Sequence, residues 1–346
     1  MDKCWLILFL FTSSAASGAS FDCAKAETSQ EKAICASPRL SQVDTQLAAA
    51  YGKLLASVPA NARAVVRKDE RDWPRSVDDR CPAKIGEKAL EGCLAPAWDE
   101  RVRFLESASS VGQRDGITFL WHSVHFTQAD TGEVARDDAE RGALRYSSLD
   151  AEWPQALSTD PDWRAWNRAI ELMARNLASQ GHAKPGDPWA KPDWMDGMDN
   201  NVSVTLETIT PVFVGASFQN LWYGHGAAHP NFEKLQFNWL LQQRRELRPE
   251  DVFRPDSGWQ KVLYERAMEW LKAPSGLGPK FPESWGAPGY WEDMVSKIVG
   301  NPQNWILDTN GLTLYFPPNS LTREEYKADL LPWKELTPML QAGFRM

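Results

Sequence analysis

An α+β protein in two parts is what this sequence predicts: a small disulfide-bonded all-α domain, then a larger α+β domain with an antiparallel sheet. Three observations predict it. Apolar residues recur at helical spacing early in the chain, as in Val43, Leu47, Tyr51, Leu54 and Leu55. Later, period-two alternation takes over, as in Val202-Ser203-Val204-Thr205-Leu206-Glu207-Thr208-Ile209. The helical stretches there are segregated from the strands, a pattern that goes with antiparallel pairing.

The 346 residues are enough for two domains, and a hydrophobic content of 43% supplies a packed core. A formal net charge of −8 argues against nucleic acid as a partner and suits a cationic one.

Residues 1–20 read as a secretory signal. Met1-Asp2-Lys3 is a short, weakly positive start, Cys4 to Phe11 is apolar, and small residues run from Ser13 to Ser20. Cleavage is expected after Gly18, Ala19 or Ser20. The apolar run is too short to span a bilayer, and no later segment is apolar enough to do so. Phe21-Asp22 before Cys23 does not fit a lipid-attachment site. A soluble protein, periplasmic or secreted, is expected.

Cys4 leaves with the signal, so Cys23, Cys35, Cys81 and Cys93 remain. An even count in an exported chain reads as two disulfides. Cys23–Cys35 with Cys81–Cys93 is favoured because each closes a short local loop; Cys23–Cys93 with Cys35–Cys81, which would staple a helical hairpin, is the rival. Neither pair has the CxxC spacing of a zinc site.

Residues 21–107 are expected to be helical. Thr28-Ser29-Gln30-Glu31 reads as a capping box opening a short helix to Cys35. Ser37-Pro38-Arg39-Leu40 reads as a break, and Ser41 as the start of a long amphipathic helix. Val58-Pro59-Ala60-Asn61 marks a turn. A second long helix carries Val65, Val66 and Trp73 inward and Arg67 to Asp72 on a solvated face with i,i+4 ion pairs. The loop from Cys81 to Cys93 precedes a last helix, 94–105, with Trp98, Val102 and Leu105 inward.

This segment resembles a known family. The residues that carry the resemblance are Phe21-Asp22-Cys23-Ala24-Lys25-Ala26, Glu31-Lys32-Ala33-Ile34-Cys35, Leu40, Asp44 and Leu47, and Ala49-Ala50-Tyr51. Arg67, Arg71, Trp73, Cys81, Cys93-Leu94, Arg101-Val102 and Leu105 continue it. It is similar to the N-terminal domain of the LprI lysozyme-inhibitor family over nearly all of residues 21–107. The resemblance implies an exported, disulfide-bonded helical domain and lysozyme as a partner.

Ser107 to Asp115 is small and polar, and residues 108–115 are expected to be the linker. The second domain, 116–346, opens with strand candidates at 117–126 and 143–150. Trp153-Pro154-Gln155 then leads to a helix from Trp163 through Leu177, and Gly181 to Asp199 is a Pro-, Gly- and Trp-rich loop. A β-hairpin is centred on Gly224-His225-Gly226-Ala227-Ala228-His229-Pro230-Asn231, with 202–209 before it and 235–241 after it as strand sequence. Helices are expected from Gly258-Trp259 to Leu271 and over 290–299, with another Pro/Gly-rich loop, 273–289, between them. Trp305 to Asp308 and Gly311 to Phe316 form a final hairpin around Asn310-Gly311.

This second part resembles the extracellular domain of the anti-sigma factor RsiV, a module that also accompanies some polysaccharide deacetylases. Trp153-Pro154-Gln155 with Asn167 matches its first half. Tyr223-Gly224, Ala227-Ala228-His229-Pro230-Asn231, Leu247, Glu250-Asp251-Val252-Phe253, Gly311-Leu312, Tyr315-Phe316, Leu331-Pro332-Trp333, Leu336 and Leu340 match the later half. In RsiV the domain is a lysozyme receptor. This chain departs from RsiV in having no transmembrane helix and no sigma-binding segment, so anti-sigma signalling is not expected.

Little in the sequence points to catalysis. There is no GxSxG elbow and no P-loop, and cysteines expected in disulfides are not nucleophiles. Asp78-Asp79 and Glu324-Glu325 sit in polar sequence and read as solvated surface. His225 and His229 lie among glycines and a proline that exclude a helix, so their spacing does not form a helical zinc site; they read as shaping the loop through backbone hydrogen bonds. His122 and His125 fall on opposite faces of a strand. No cofactor or metal is expected. Of the 17 tryptophans, Trp73, Trp98, Trp166, Trp239 and Trp333 sit on apolar stripes and read as core. Trp189 and Trp194 in one loop, and Trp222, Tyr223, His225, His229 and Asn231 around the hairpin turn, are the candidate binding residues. The reading that follows is a non-enzymatic envelope protein that binds lysozyme, with inhibition as the expected consequence. The alternative is a module that binds cell-wall glycan by stacking aromatic loops on sugars.

Overall fold

The structure, a computed structural model, describes residues 18–60, 62–81, 87–110, 116–133, 136, 146–179, 189, 195–278, 289–318, 320 and 324–346. The body of the expected signal segment, Trp194, most of the 181–199 loop, most of the linker and the middle of the 273–289 loop lie outside these residues. The protein is α+β: a disulfide-bearing helical region is followed by a region of helices and mainly antiparallel sheet. Contacts divide it into two compact units, one comprising residues to 66 with 77–110 and the other 67–76 with 111–346.

In the first unit, α1 (Ser29–Ala36) opens on the expected capping box. Thr28 Oγ1 accepts from the Glu31 amide and the Glu31 carboxylate accepts from the Thr28 amide. These contacts hold the Glu31 carboxyl below its usual range. Helix α2 (Pro38–Ser57) begins earlier than expected: Ser37 caps it and Pro38 takes the first turn. Proline fits there because that position has no intrahelical use for an N–H, so Ser37-Pro38 both ends α1, as expected, and starts α2. Leu40, Val43, Leu47, Ala50 and Leu54 form its buried stripe. Helix α3 (Arg63–Arg80) begins and ends in this unit, while its residues 67–76 are counted with the second; they carry the expected i,i+4 ion pair, Lys68–Asp72 at 2.5 Å. Helix α4 (Glu87–Ser110) is longer than the sequence suggests and takes in half of the cysteine-bracketed loop and the first residues of the expected linker. Its stripe also differs: Arg101 and Phe104 are buried beside Leu105, with the guanidinium 4.8 Å from the Phe104 ring, while Val102 is half-buried. The disulfides are the two local ones, Cys23–Cys35 and Cys81–Cys93. The first ties a single 3-10 turn to α1; the second ties the end of α3 to α4.

Among the described residues of the second unit, six strands form one sheet in sequence order: β1 (Phe119–Ala129), β2 (Tyr146–Ala156), β3 (Met198–Ile209), β4 (Phe213–Gly224), β5 (Asn231–Leu240) and β6 (Arg245–Glu246). All neighbours are antiparallel except β2 and β3, which run parallel over 148–151. A parallel pair needs a crossover, and α5 (Pro161–Ala178) supplies it. The strand entering the hairpin turn is β4, which the sequence reading lacked; 202–209 lies one strand further back, so the element is a three-stranded meander. Pro154 sits inside β2, beyond its pairing with β3, where only β1 needs ladder partners.

Helix α5 packs on β2, β3 and β4. Trp163, Trp166, Ile170, Ala174 and Ala178 bury against Trp153, Val202, Phe218 and Phe237 in one core. Asn167 fixes the helix to the sheet: its side-chain oxygen accepts from Ala156 N–H at 2.8 Å and its amide donates to Ala156 C=O at 2.9 Å. Asn200 and Asn220 donate to the Ala178 and Leu177 carbonyls at the C-terminal end of the helix.

A second core gathers α6 (Pro249–Val252), α7 (Trp259–Lys272), α8 (Tyr290–Gly300), and strands β7 (Trp305–Leu307), β8 (Gly311–Phe316), β9 (Tyr326–Lys327) and β10 (Leu331–Pro332), with a last turn, α9 (Trp333–Leu336). The β7–β8 hairpin turns at Asn310-Gly311, where Asp308 accepts from both amides. Gly311 is obligatory there, since a Cβ would come 2.2 Å from the Leu331 carbonyl oxygen. Asn238 donates to the Pro302 and Trp305 carbonyls, and Thr208 to the Leu307 carbonyl, joining the two cores.

Candidate functional site

The strand registers bring five ends together. Ala129 closes β1 opposite Tyr146, Ser148 lies beside Asp199, Met198 pairs with Gly224, and Trp222 pairs with Asn231. The candidate residues of the hairpin turn therefore stand at one end of the large sheet, beside the start of β3 where the 181–199 loop ends. The turn between β4 and β5 is closed by Ala227 N–H to Gly224 C=O, and Gly226 takes a left-handed φ of 86° that favours glycine. The Tyr223 hydroxyl donates to the Ala227 carbonyl across it.

His225 is the hub of this end. Its side chain is 2% exposed and lies between two carboxylates, with Nδ1 2.6 Å from Asp130 and Nε2 3.2 Å from Asp199. Asp130 is as deeply buried, and its other oxygen accepts from the Ser147 hydroxyl and the Gly197 amide. Ser147 Oγ also accepts from Gly197 N–H, at 2.7 Å, and Met198 N–H. Asp199 reaches back to accept from the Ser148 amide and hydroxyl, and the His225 amide donates to the Gly197 carbonyl. One imidazole thus clamps the ends of β1, β2, β3 and β4. The arrangement holds a buried carboxylate rather than preparing a nucleophile, because Ser147 is wholly buried and donates to Asp130, not to the histidine. Among the described residues no group of three or more His, Cys, Asp or Glu side chains is placed to hold a metal ion.

The histidine reading is corrected on one count. His229 does act through the backbone, with Nδ1 3.0 Å from the Pro230 carbonyl, but His225 is held by side-chain carboxylates. No local pattern points to Asp130, which lies 95 residues away in the chain. His122 and His125 do part to opposite faces: His122 stacks on Trp153 and His125 pairs with Asp150 at 2.6 Å. Burial holds the His122 ring below the usual histidine range.

Trp222 and Tyr223 are half-buried, and His229 and Asn231 are exposed, so the turn carries aromatic and polar groups at its surface. Trp189 stands apart from them. It is half-buried, stacked on Trp153 at 4.9 Å, with the Arg175 guanidinium 5.4 Å from its ring. That packing makes it a staple of its loop to the sheet.

The residues behind the RsiV resemblance have structural partners. Asp251 forms a two-pronged ion pair with Arg245 and accepts from the Arg248 amide. The Tyr315 hydroxyl donates to Glu325, and burial raises its pKa. Trp333 Nε1 donates to the Asp308 carbonyl.

Residues 23–105 match the family described as lysozyme inhibitor LprI. Among solved structures, the chain is similar to a member of the DUF3298 family from Bacteroides fragilis NCTC 9343, at 13% identity and a TM-score of 0.44, covering 65% of this chain and 94% of that one. It is also similar to a DUF3298 family protein from Pseudomonas aeruginosa PAO1, at 12% identity and a TM-score of 0.41, covering 67% and 96%. No curated protein matches the chain.

Proposed function

We propose that this is an exported, non-enzymatic protein of the cell envelope that binds lysozyme and blocks its action. The observation that carries the reading is the match of residues 23–105 to the lysozyme inhibitor LprI family. Both disulfides fall within that segment and fit an oxidising compartment, periplasmic or extracellular. No helix among the described residues is long and apolar enough to cross a membrane. The resemblance of residues 116–346 to the lysozyme receptor domain of RsiV supports the same partner for the second domain. A net charge of −8 gains association rate toward a cationic lysozyme.

In this reading the boundaries are a signal peptide to residue 20, a helical domain over 21–107, a linker over 108–115 and the α+β domain over 116–346. The turn from Trp222 to Asn231 is the element offered to the partner. The test is a titration of the mature protein against c-type, g-type and i-type lysozymes, scored for binding and for cell-wall lysis. Saturable inhibition of one class is the expected result. Binding to purified peptidoglycan with no affinity for any lysozyme would replace this reading with the glycan-binding one.

A further inference from the structure

Asp44 of α2 is 7% exposed, yet among the described residues no lysine or arginine pairs with it. Among the described residues its carboxylate accepts from the Ser20 main-chain nitrogen, 2.7 Å from Oδ2. The next residue, Thr45, donates its hydroxyl to the Gly18 carbonyl at 2.8 Å, so the segment 18–20 lies along this part of α2. A buried carboxylate with a single neutral N–H is under-compensated, since a buried charge is expensive unless it is paired as well as hydrogen-bonded. An ammonium at the Ser20 nitrogen would supply the missing charge without moving an atom.

We infer that signal processing cuts the Ala19–Ser20 bond and that the new α-ammonium of Ser20 pairs with Asp44 to lock the start of the mature chain onto α2. This rests on the export reading and chooses among the three cleavage points that the small residues permit. Ser17 and Ala19 place small side chains three residues and one residue before the cut, as a signal peptidase requires. The step is a hydrolysis by the exporting cell's signal peptidase. Water gives its hydroxyl to the Ala19 carbonyl, which leaves as a carboxylate, and the Ser20 nitrogen ends protonated. Cleavage after Gly18 would leave a neutral amide opposite Asp44, and cleavage after Ser20 would remove the donor altogether. Processing thereby turns a neutral hydrogen bond of the precursor into an ion pair, and the helical unit reaches its full stability only once the signal is gone.

The experiment has two parts. The protein is expressed with its own leader, and the exported form is read by intact mass and N-terminal sequencing; Ser20 as the first residue is expected. Full-length mature protein beginning at Ser20 is then compared with a form beginning at Gly18 and with the N-acetylated form, each with and without Asp44→Asn, by denaturant unfolding of the first unit. Acetylation or extension should lower the folding constant about five- to thirtyfold, and in the Asp44→Asn background it should change it hardly at all. An exported protein that starts at Ala19 or Phe21 overturns the inference and leaves export standing. A protein that stays uncleaved inside the cell overturns the export reading itself. A full effect of acetylation in the Asp44→Asn background overturns the pairing, whatever the first residue proves to be.

Discussion

The two units hold together by different means. In the second, the largest fully buried side chains are aromatic: Trp166, Trp305, Tyr315, Phe119, Phe213, Phe218, Phe237, Phe253 and Phe316. Their rings meet edge to face or stacked, as Phe119, Trp163 and Trp166 do at 5.7 Å. In the first, the largest are leucines, Leu40, Leu94 and Leu105, and the fold is closed instead by two disulfides, a capping box and a capped proline start. Size explains the contrast. A domain of fewer than about 100 residues buries a smaller fraction of its surface than one more than twice as long, so it relies on cross-links and helix ends where the larger one relies on ring packing.

Cutting the cross-links should give the largest effect. Each disulfide closes a loop with a sequence separation of 12, worth about 3 kcal/mol in the chain-entropy account. Replacing all four cysteines with serine therefore costs about 6 kcal/mol, comparable to the whole stability of a small domain. Circular dichroism and proteolysis should show the first unit unfolded at 37 °C and the second intact. Loss of both units together would mean that the second depends on the first.

The second effect belongs to the aromatic core. Trp166→Ala removes a wholly buried ring at the junction of α5 with the sheet and should cost about 3–5 kcal/mol. Reducing agent should leave this loss unchanged, because among the described residues no disulfide lies in that unit. Denaturation midpoints with and without reductant check both points.

How far the sequence exposes each region follows from the range of its interactions. Thr28 with Glu31, the twelve-residue cysteine spacings and Asn310-Gly311 are local, and the structure has each as the sequence suggests. Strand β4 escaped because Phe213 to Phe218 is buried on both faces and shows no alternation. Ser37-Pro38 does end α1, but α2 resumes at Pro38 and not at Ser41, because a proline suits a first turn as well as it breaks a helix interior. The partners of His225 were illegible for another reason: Asp130 and Asp199 reach it only through strand register. The turn residues were picked out by composition, but their assembly around a buried histidine was not.

The third effect probes that assembly. His225→Ala leaves the Asp130 carboxylate buried with Ser147 and Gly197 but without its 2.6 Å partner, at a cost of about 2–3 kcal/mol. Amide exchange should quicken at the ends of β1 to β4 and around Gly224 to Asn231, and not in α7 or α8. If lysozyme reads this turn, its affinity for the variant should fall while the helical unit keeps its own stability. Unchanged affinity would shift the contact to the first unit and make the clamp purely architectural.

The smallest effect distinguishes charge from capping in the second core. Asp251 bonds Arg245 through both oxygens and caps α6 through the Arg248 amide, and the ion pair with Arg245 leads in holding its carboxyl below the usual range. Because the folded pKa is depressed, the stabilisation is complete above the unfolded value of about 3.9 and fades as pH falls through the lower folded value. The Arg245 side chain is 35% exposed, so solvent screening limits the pair, and Asp251→Asn should cost about 1 kcal/mol near neutral pH. Urea midpoints of the wild type and variant should draw together as pH falls below about 4, where the unfolded carboxyl takes up its proton, and meet once the folded carboxyl is protonated as well. A gap that persists at low pH would trace the loss to the α6 cap, and the second unit would then share with the first a reliance on helix ends that its aromatic core does not suggest.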